Sequence, residues 1–282
     1  MTLMRKLQFK WMFLFIAGIL LFVGCVPEKK IGSEYLSQRR NMTLVIRAPQ
    51  WVKMVNLSAD SILVGSELSQ RQKDSIKFYK SKLLKNVSDS ILIGNYIKSL
   101  KSGFESQGYK TMIASENDSV FPVNGNAFLI NIGQIELDEQ KYPIRDETQF
   151  NRKLYTADYD LTKIELSYWI EVSKIENGNS TQTPRLLYDS FNGTDDFNGH
   201  FSLNKDNKMV YLSTVEEITP EYIDSVSTSI GRDHAFRLNE YLLNEYISYF
   251  LPQKKNRILL GVNQKFGTLI RVFEPPFKEI QE

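Results

Sequence analysis

Strict alternation of apolar and polar residues marks the clearest element of the chain, between Lys163 and Lys174. Every second residue there is apolar: Ile164, Leu166, Tyr168, Ile170 and Val172. Because successive side chains of a strand point to opposite faces, this period predicts a strand with one buried and one wet face. The run Ala127–Leu137 is apolar on both faces over most of Phe128–Ile132 and predicts a central strand.

Apolar residues at helical spacing predict two helices ahead of these strands. The first lies within Ser66–Lys85. The second begins at Ser88 or Asp89, residue types that cap helices, and its apolar stripe stops before Gly108, a residue type that ends them.

A further helical region follows the strands. Thr219 and Pro220 are a capping residue and a first-turn proline, so they predict a helix start. We expect Gly231 to separate this helix from a second one, Arg232–Leu251, which Pro252 would end.

The remaining β-type runs are short and bounded by turn residues: Thr43–Ala48, Arg185–Phe191, Met209–Val215, Arg257–Val262 and Thr268–Phe273. The order strand, helices, strands, helix, strands predicts an α+β fold. We expect a largely antiparallel sheet with helices packed on one face. Residues 42–282 are treated as a single domain.

The N-terminus carries a targeting pattern. Arg5, Lys6 and Lys10 precede an apolar run, Trp11–Val23, which is shorter than the roughly 20 residues of a membrane-spanning helix. Gly24 and Cys25, the only cysteine, follow this run.

This segment resembles a bacterial lipoprotein signal peptide, in which a small residue and an acylated cysteine end the lipobox. The resemblance implies a signal peptide over residues 1–24 and lipidation at Cys25. Phe22 stands where the lipobox usually has an aliphatic residue. A cleaved secretory signal or a short signal anchor, with Cys25 incidental, is the alternative.

Cleavage would also change the charge. It leaves 35 − 3 basic residues against 33 acidic ones, so the formal net charge falls from +2 to −1. A nearly neutral mature chain gives no electrostatic reason to expect nucleic acid as a partner. Residues 25–41 are polar and lack periodicity, so we expect a lipid-anchored tether. By resemblance to lipoprotein sorting rules, Val26 implies the outer membrane, and the lack of an acidic run implies its periplasmic face.

Metal and cofactor motifs are missing from the sequence. The polar segment Asn192–Gly199 offers oxygen ligands, but its spacing does not fit a calcium loop, and a turn explains its composition. His200 and His234 lack the spacing of a metal pair, and we expect structural or surface roles for them. No phosphate-binding glycine motif and no nucleophile elbow occurs, so we predict no catalytic, cofactor or metal site.

Carboxylates and aromatic residues are the remaining candidates. The pairs Glu136/Asp138 and Glu165/Glu171 lie on predicted wet strand faces, where they could serve a glycosidase or simply keep the sheet soluble. Trp169 lies on the polar face of its strand. It is therefore either covered by another element or offered to a partner.

One tripeptide, Asp-Ser followed by Ile or Val, recurs five times, with its serines at Ser61, Ser75, Ser90, Ser119 and Ser225. It resembles the O-glycosylation acceptor motif of Bacteroidota envelope proteins. The resemblance implies that some of these serines are modified. Helix capping is the alternative explanation, because Asp and Ser both favour helix starts.

Together these features predict a lipid-anchored, non-enzymatic protein of a Bacteroidota-type cell envelope. It would bind the membrane through its lipid and an envelope protein as partner. The order of elements is similar to that of auxiliary lipoproteins of envelope transport systems, although no motif is shared. The alternative is an envelope hydrolase or glycan-binding module that uses carboxylates and exposed aromatic residues.

Overall fold

The computed structural model describes residues 27–58, 67–115, 118, 120–123, 125–180, 184–252 and 258–280. These residues fall into two compact units. The terminal unit comprises the described parts of 27–38 and 240–275, and the sheet unit comprises those of 39–239 and 276–280. The single domain over 42–282 stays a prediction.

The elements in chain order are α1 Pro27–Gln38, β1 Thr43–Arg47, β2 Lys53–Asn56, α2 Gln70–Lys80, α3 Asp89–Ser106, β3 Lys110–Ala114, β4 Ala127–Phe150, β5 Lys153–Glu176, β6 Asn179–Ser180, β7 Arg185–Thr194, β8 Asp196–Leu203, β9 Met209–Glu216, α4 Pro220–Phe250, β10 Leu259–Asn263, β11 Thr268–Val272 and β12 Lys278–Ile280. Short 3-10 turns occupy Arg39–Asn41 and Leu84–Asn86.

The sheet unit is built on one mixed sheet in the order β12-β7-β5-β4-β1-β3. The pairs β4–β5, β5–β7 and β7–β12 are antiparallel, whereas β1 runs parallel to both β3 and β4. The predicted α+β class is confirmed. The helices α3 and α4 cover one face, where the Tyr96 ring of α3 stacks 4.8 Å from the Tyr168 ring of β5.

The strands β4 and β5 form a hairpin with 24 residues on each side. Its two-residue turn, Asn151 and Arg152, has positive φ at both positions, as the twist of a tight hairpin requires. The predicted buried side chains of β5 all lie in the core, from Ile164 to Val172. Both strands extend further than the sequence predicts, and the hairpin β8–β9 packs on the extension through Tyr159, whose ring lies 5.0 Å from that of Phe197.

The prediction that Gly231 separates two helices is wrong, because α4 continues through it. This glycine is buried where α4 crosses α3, and an added Cβ would lie 3.2 Å from the Leu100 amide nitrogen. Glycine is used here for close helix packing instead of for helix termination. Gly108, in contrast, follows α3 with a φ of +95°, as predicted for a helix stop.

The segment Asn192–Gly199 was expected to be a turn, and this prediction is also wrong. It belongs to β7 and β8, which are interrupted only at Asp195. The buried Asp195 carboxylate accepts hydrogen bonds from the backbone N–H groups of Thr162 (2.6 Å) and Ile218 (2.8 Å). The acid therefore ties three chain segments together, which explains its presence without a cation.

The expected irregular tether over residues 25–41 is helical from Pro27 onward, where α1 begins. The helix forms because it has a surface to pack on within the terminal unit. Its Tyr35 is buried, and Gly32 approaches Leu269 of β11 so closely that an added Cβ would lie 3.0 Å from the leucine methyl group. Lipid attachment itself stays a prediction, because Cys25 lies outside the described residues.

Candidate functional site: the polar face of the sheet

The face of the sheet opposite α3 and α4 carries a continuous set of polar and aromatic side chains. We call it the polar face and define it by residues of three strands: Asn131, Gln134, Glu136, Asp138, Glu165, Ser167, Trp169, Glu171 and Tyr188. The four predicted carboxylates and Trp169 all belong to this set. The structure therefore brings together residues that the sequence could only assign to a wet face.

A β-bulge at Gly133 makes the polar face continuous. The register of β4 against β5 shifts between Ile132 and Gln134. As a result, Asn131 lies opposite Glu171 while Gln134, three residues later, lies opposite Trp169 on the same face. Without the extra residue, the apolar side chains of one half of β4 would point away from the core.

Hydrogen bonds hold two of the carboxylates of this face, Glu171 and Glu136. Asn131 Nδ2 donates to Glu171 Oε2 (2.7 Å), and Gln134 Nε2 donates to Glu136 Oε2 (2.8 Å). Lys53 of β2 donates to the second oxygen of Glu136 at 2.9 Å. These side chains are fixed in place before any ligand arrives.

Asp138 has the most perturbed carboxyl group of the polar face. Its pKa is raised to about 6, first by burial and then by the neighbouring carboxylates Glu136 and Glu165, against the opposing charge of Lys53. One of its oxygens, Oδ1, is buried without a hydrogen-bond partner in the structure. A carboxyl group in this state can hold a proton near neutral pH and donate a hydrogen bond.

Trp169 lies at the centre of the polar face. Its ring is half-buried and tilted against Tyr188, with centroids 5.2 Å apart. The Tyr188 hydroxyl group lies 3.1 Å from Ser167 Oγ and donates to Glu165 at 3.5 Å. The aromatic pair therefore has polar surroundings instead of the flat apolar patch that would suit a purely hydrophobic contact.

Other segments of the chain pack over both ends of the polar face, and the uncovered part between them forms a trough. At one end, Phe121 and Val123 pack over Val45, Leu129 and Ile175. At the other end, the hairpin β8–β9 lies over the tip of the β4–β5 hairpin, where the Tyr211 hydroxyl group donates to Asp146. The carboxylates and Trp169 lie between these covers.

A cleft of about 310 Å³ adjoins the trough at the bulge. It lies between the β1–β2 connection, residues 47–51, and Asn131, Gly133 and Gln134 of β4. Trp51, an exposed residue, forms part of its wall. Two tryptophans thus flank the amide side chains of the bulge, an arrangement that can bind a ligand with both apolar and hydrogen-bonding surfaces.

A second polar constellation is buried under the helices. His234 of α4 bonds to the Tyr96 hydroxyl group through Nδ1 (2.8 Å) and to Asp189 of β7 through Nε2 (3.0 Å). Arg237 also donates to both oxygens of Asp189 and to the Pro276 carbonyl group. Sequence patterns do not reveal this network, because Tyr96 and His234 are 138 positions apart and Asp189 and His234 are 45 apart.

The charge state of this network follows from its burial. Desolvation lowers the pKa of His234, so the imidazole is neutral near pH 7. Burial alone would raise the pKa of Asp189, but hydrogen bonds from His234 and Arg237 outweigh that effect and lower it. With His234 and Tyr96 fully buried, we assign the network to the core, as expected for a structural histidine. His200, in contrast, is exposed on β8.

Three of the five Asp-Ser serines are described, and all three are exposed: Ser75, Ser90 and Ser225. Only Ser90 lies at a helix start, whereas Ser75 and Ser225 lie inside α2 and α4. Helix capping therefore does not explain the whole recurrence. Ser61 and Ser119, like Cys25, lie outside the described residues.

No protein-family model matches the chain, and no curated protein is significantly similar to it. Within the described residues, no helix is long and apolar enough to cross a membrane. Among those same residues, no three His, Cys, Asp or Glu side chains come together as a metal site would require. The function is therefore inferred from the polar face and from the N-terminal targeting pattern.

Proposed function

We propose that this chain is a lipid-anchored protein of the bacterial cell envelope with a non-enzymatic binding or assembly role. Acyl chains on Cys25 hold it at the periplasmic face of the outer membrane, and the polar face binds an envelope protein. The observation that supports binding most directly is the Trp169–Tyr188 pair, which is half-buried among side chains already held by hydrogen bonds. Amphipathic aromatic residues on a rigid, polar surface are typical of interface hot spots.

The test is the recovery of partners from detergent-solubilised envelopes. Trp169→Ala should lose a specific partner, because truncation removes the largest contact surface of the face. Tyr79→Ala is the matched control, since Tyr79 is an exposed aromatic residue of α2 away from the polar face. Equal recovery by both variants would contradict the proposed binding surface.

The anchor needs its own test. Growth with labelled fatty acid should label the wild-type protein and not Cys25→Ala. Incorporation of label into Cys25→Ala would contradict the assignment.

Glycan binding is the second candidate, and the polar surroundings of Trp169 favour it. Indole rings beside amide and carboxylate groups suit a sugar ring, which presents an apolar face and hydroxyl groups. Binding of cell-wall or surface glycans by the wild-type protein, lost in Trp169→Ala and Glu136→Gln, would support this candidate over a protein partner. Hydrolysis of the bound glycan would support the enzymatic alternative instead.

A further inference from the structure

Four aromatic side chains of the terminal unit are largely exposed. Phe273 is 83% exposed, Tyr249 80%, Phe266 67% and Phe250 49%. Two of these rings make cation–π contacts. Lys265 Nζ lies 5.4 Å from the Phe266 ring centroid, and the Arg271 guanidinium lies 5.3 Å from the Phe273 ring centroid. Exposed aromatic rings paired with basic side chains are characteristic of surfaces that contact lipid headgroups.

The helix α1 is firmly part of this unit. Its Tyr35 is fully buried, with a ring 5.4 Å from that of Tyr246, and Gly32 packs against Leu269. At its first turn, Glu28 is buried and accepts a hydrogen bond from the Ile258 backbone N–H at 3.5 Å. The chain is therefore fixed to the terminal unit from its first helical turn.

This geometry restricts the distance to the membrane. Cys25 precedes the start of α1 at Pro27 by two residues, which span at most about 7 Å. An acylated Cys25 would therefore hold the terminal unit directly at the bilayer surface. This step rests on the lipid anchor of the proposed function.

The exposed ring of Phe273 lies at the same end of the unit as this start of α1. Ile258, which bonds to Glu28, directly precedes Leu259, and Leu259 pairs with Val272, the neighbour of Phe273. The strand pairing thus brings the most exposed aromatic residue close to the point where the lipid would be attached.

We propose that the terminal unit binds the interfacial region of the lipid bilayer through the membrane patch, which we define as Tyr249, Phe250, Arg271 and Phe273. Leu260 pairs with Asn244 and Val262 with Glu240, so α4 ends toward the same end of the hairpin as Phe273, whereas Phe266 lies in the turn at the opposite end. The aromatic rings enter the headgroup layer, and the Arg271 guanidinium faces lipid phosphates. The exposed Lys29 and Lys30 of α1 add positive charge to the unit, whereas the exposed Glu34, Glu245 and Glu274 offset much of it. Aromatic burial therefore supplies most of the affinity.

The test uses the mature chain from residue 25 onward with Cys25→Ser, so that no acyl chain contributes. Its partition onto vesicles of phosphatidylethanolamine and phosphatidylglycerol is measured by co-sedimentation. The protein should bind, and Tyr249→Ser with Phe273→Ser should lower the partition coefficient about 20-fold, from the loss of two aromatic rings. Tyr79→Ser, which changes a 73%-exposed aromatic residue of the sheet unit, should leave it unchanged.

A second variant reports insertion directly. Phe273→Trp should show a blue-shifted emission component that brominated lipids quench. Absence of vesicle binding, equal partition of the double variant, or loss of self-association instead of vesicle binding in that variant would overturn the proposal. Failure of fatty-acid labelling at Cys25, with vesicle binding by Cys25→Ser intact, would reject the anchor and leave the patch.

Discussion

The crossing of α3 and α4 allows a sharp test, because glycines of similar helical context differ in their surroundings. Gly231 is buried at the crossing, where an added Cβ would come within 3.0 Å of the Tyr96 carbonyl oxygen. Gly94, also within a helix, has no neighbouring atom within 4 Å of the same position. Helix propensity favours alanine over glycine by about 1 kcal/mol at either site.

The two substitutions should therefore change stability in opposite directions. Gly94→Ala should raise the free energy of unfolding by about 0.5–1 kcal/mol, since it gains propensity at no steric cost. Gly231→Ala gains the same amount, but the crossing helices must move apart. Overpacking costs about 1–3 kcal/mol, and more where backbone atoms are displaced. We expect a net loss of about 2 kcal/mol.

Urea unfolding followed by far-UV circular dichroism measures both values. The two variants should differ by about 3 kcal/mol at similar dependence on urea. A Gly231→Ala protein as stable as the wild type would refute the close crossing.

Three further predictions follow from the ionisable groups. Burial lowers the pKa of His234 in the folded state below its ordinary value of 6.5, so the unfolded chain binds more protons around and below that pH. The free energy of unfolding should therefore fall as the pH drops from 7 to 5. In a pH series of urea unfolding, His234→Gln should flatten this fall, and His200→Gln should not. Because the pKa of Asp138 is raised to about 6 in the folded protein, its charge opposes folding above that pH. Asp138→Asn should therefore raise the free energy of unfolding by about 1 kcal/mol at pH 8, after allowance for solvent screening, but not at pH 4. Asp206→Asn, in the exposed β8–β9 turn, is the control. Asp195→Ala should cost about 2–3 kcal/mol in thermal or urea unfolding, because two backbone N–H groups lose their acceptor.

Periodicity predicted those elements whose burial is one-sided. The alternation from Ile164 to Val172 fixed both the strand type and its buried face, because each side chain position follows from the period alone. Helix ends were also predicted from single residues. Gly108 has the positive φ that glycine favours, and α4 ends two residues before Pro252. Such features depend only on neighbours in the chain.

The failures share a different origin, because each depends on a contact distant in sequence. Gly231 lies inside a helix, at the point where Tyr96 of α3 packs against it. Asp195 is buried because its carboxylate accepts hydrogen bonds from two backbone N–H groups that are distant in sequence. The helix α1 is sparse in apolar residues and forms on a surface supplied by residues after 240.

The polar face was predictable only in part. Alternation placed Trp169 and four carboxylates on wet strand faces. The bulge that aligns those faces was not predicted, although Gly133 inside a strand run is the residue type that marks one.

Intact-mass and peptide mass spectrometry of the protein extracted from native membranes tests the lipid anchor directly. The mature chain should begin at Cys25, and this residue should carry acyl chains. A chain that retains its leader, or a free thiol at Cys25, would contradict the anchor on which the proposed location and the position of the terminal unit at the bilayer depend.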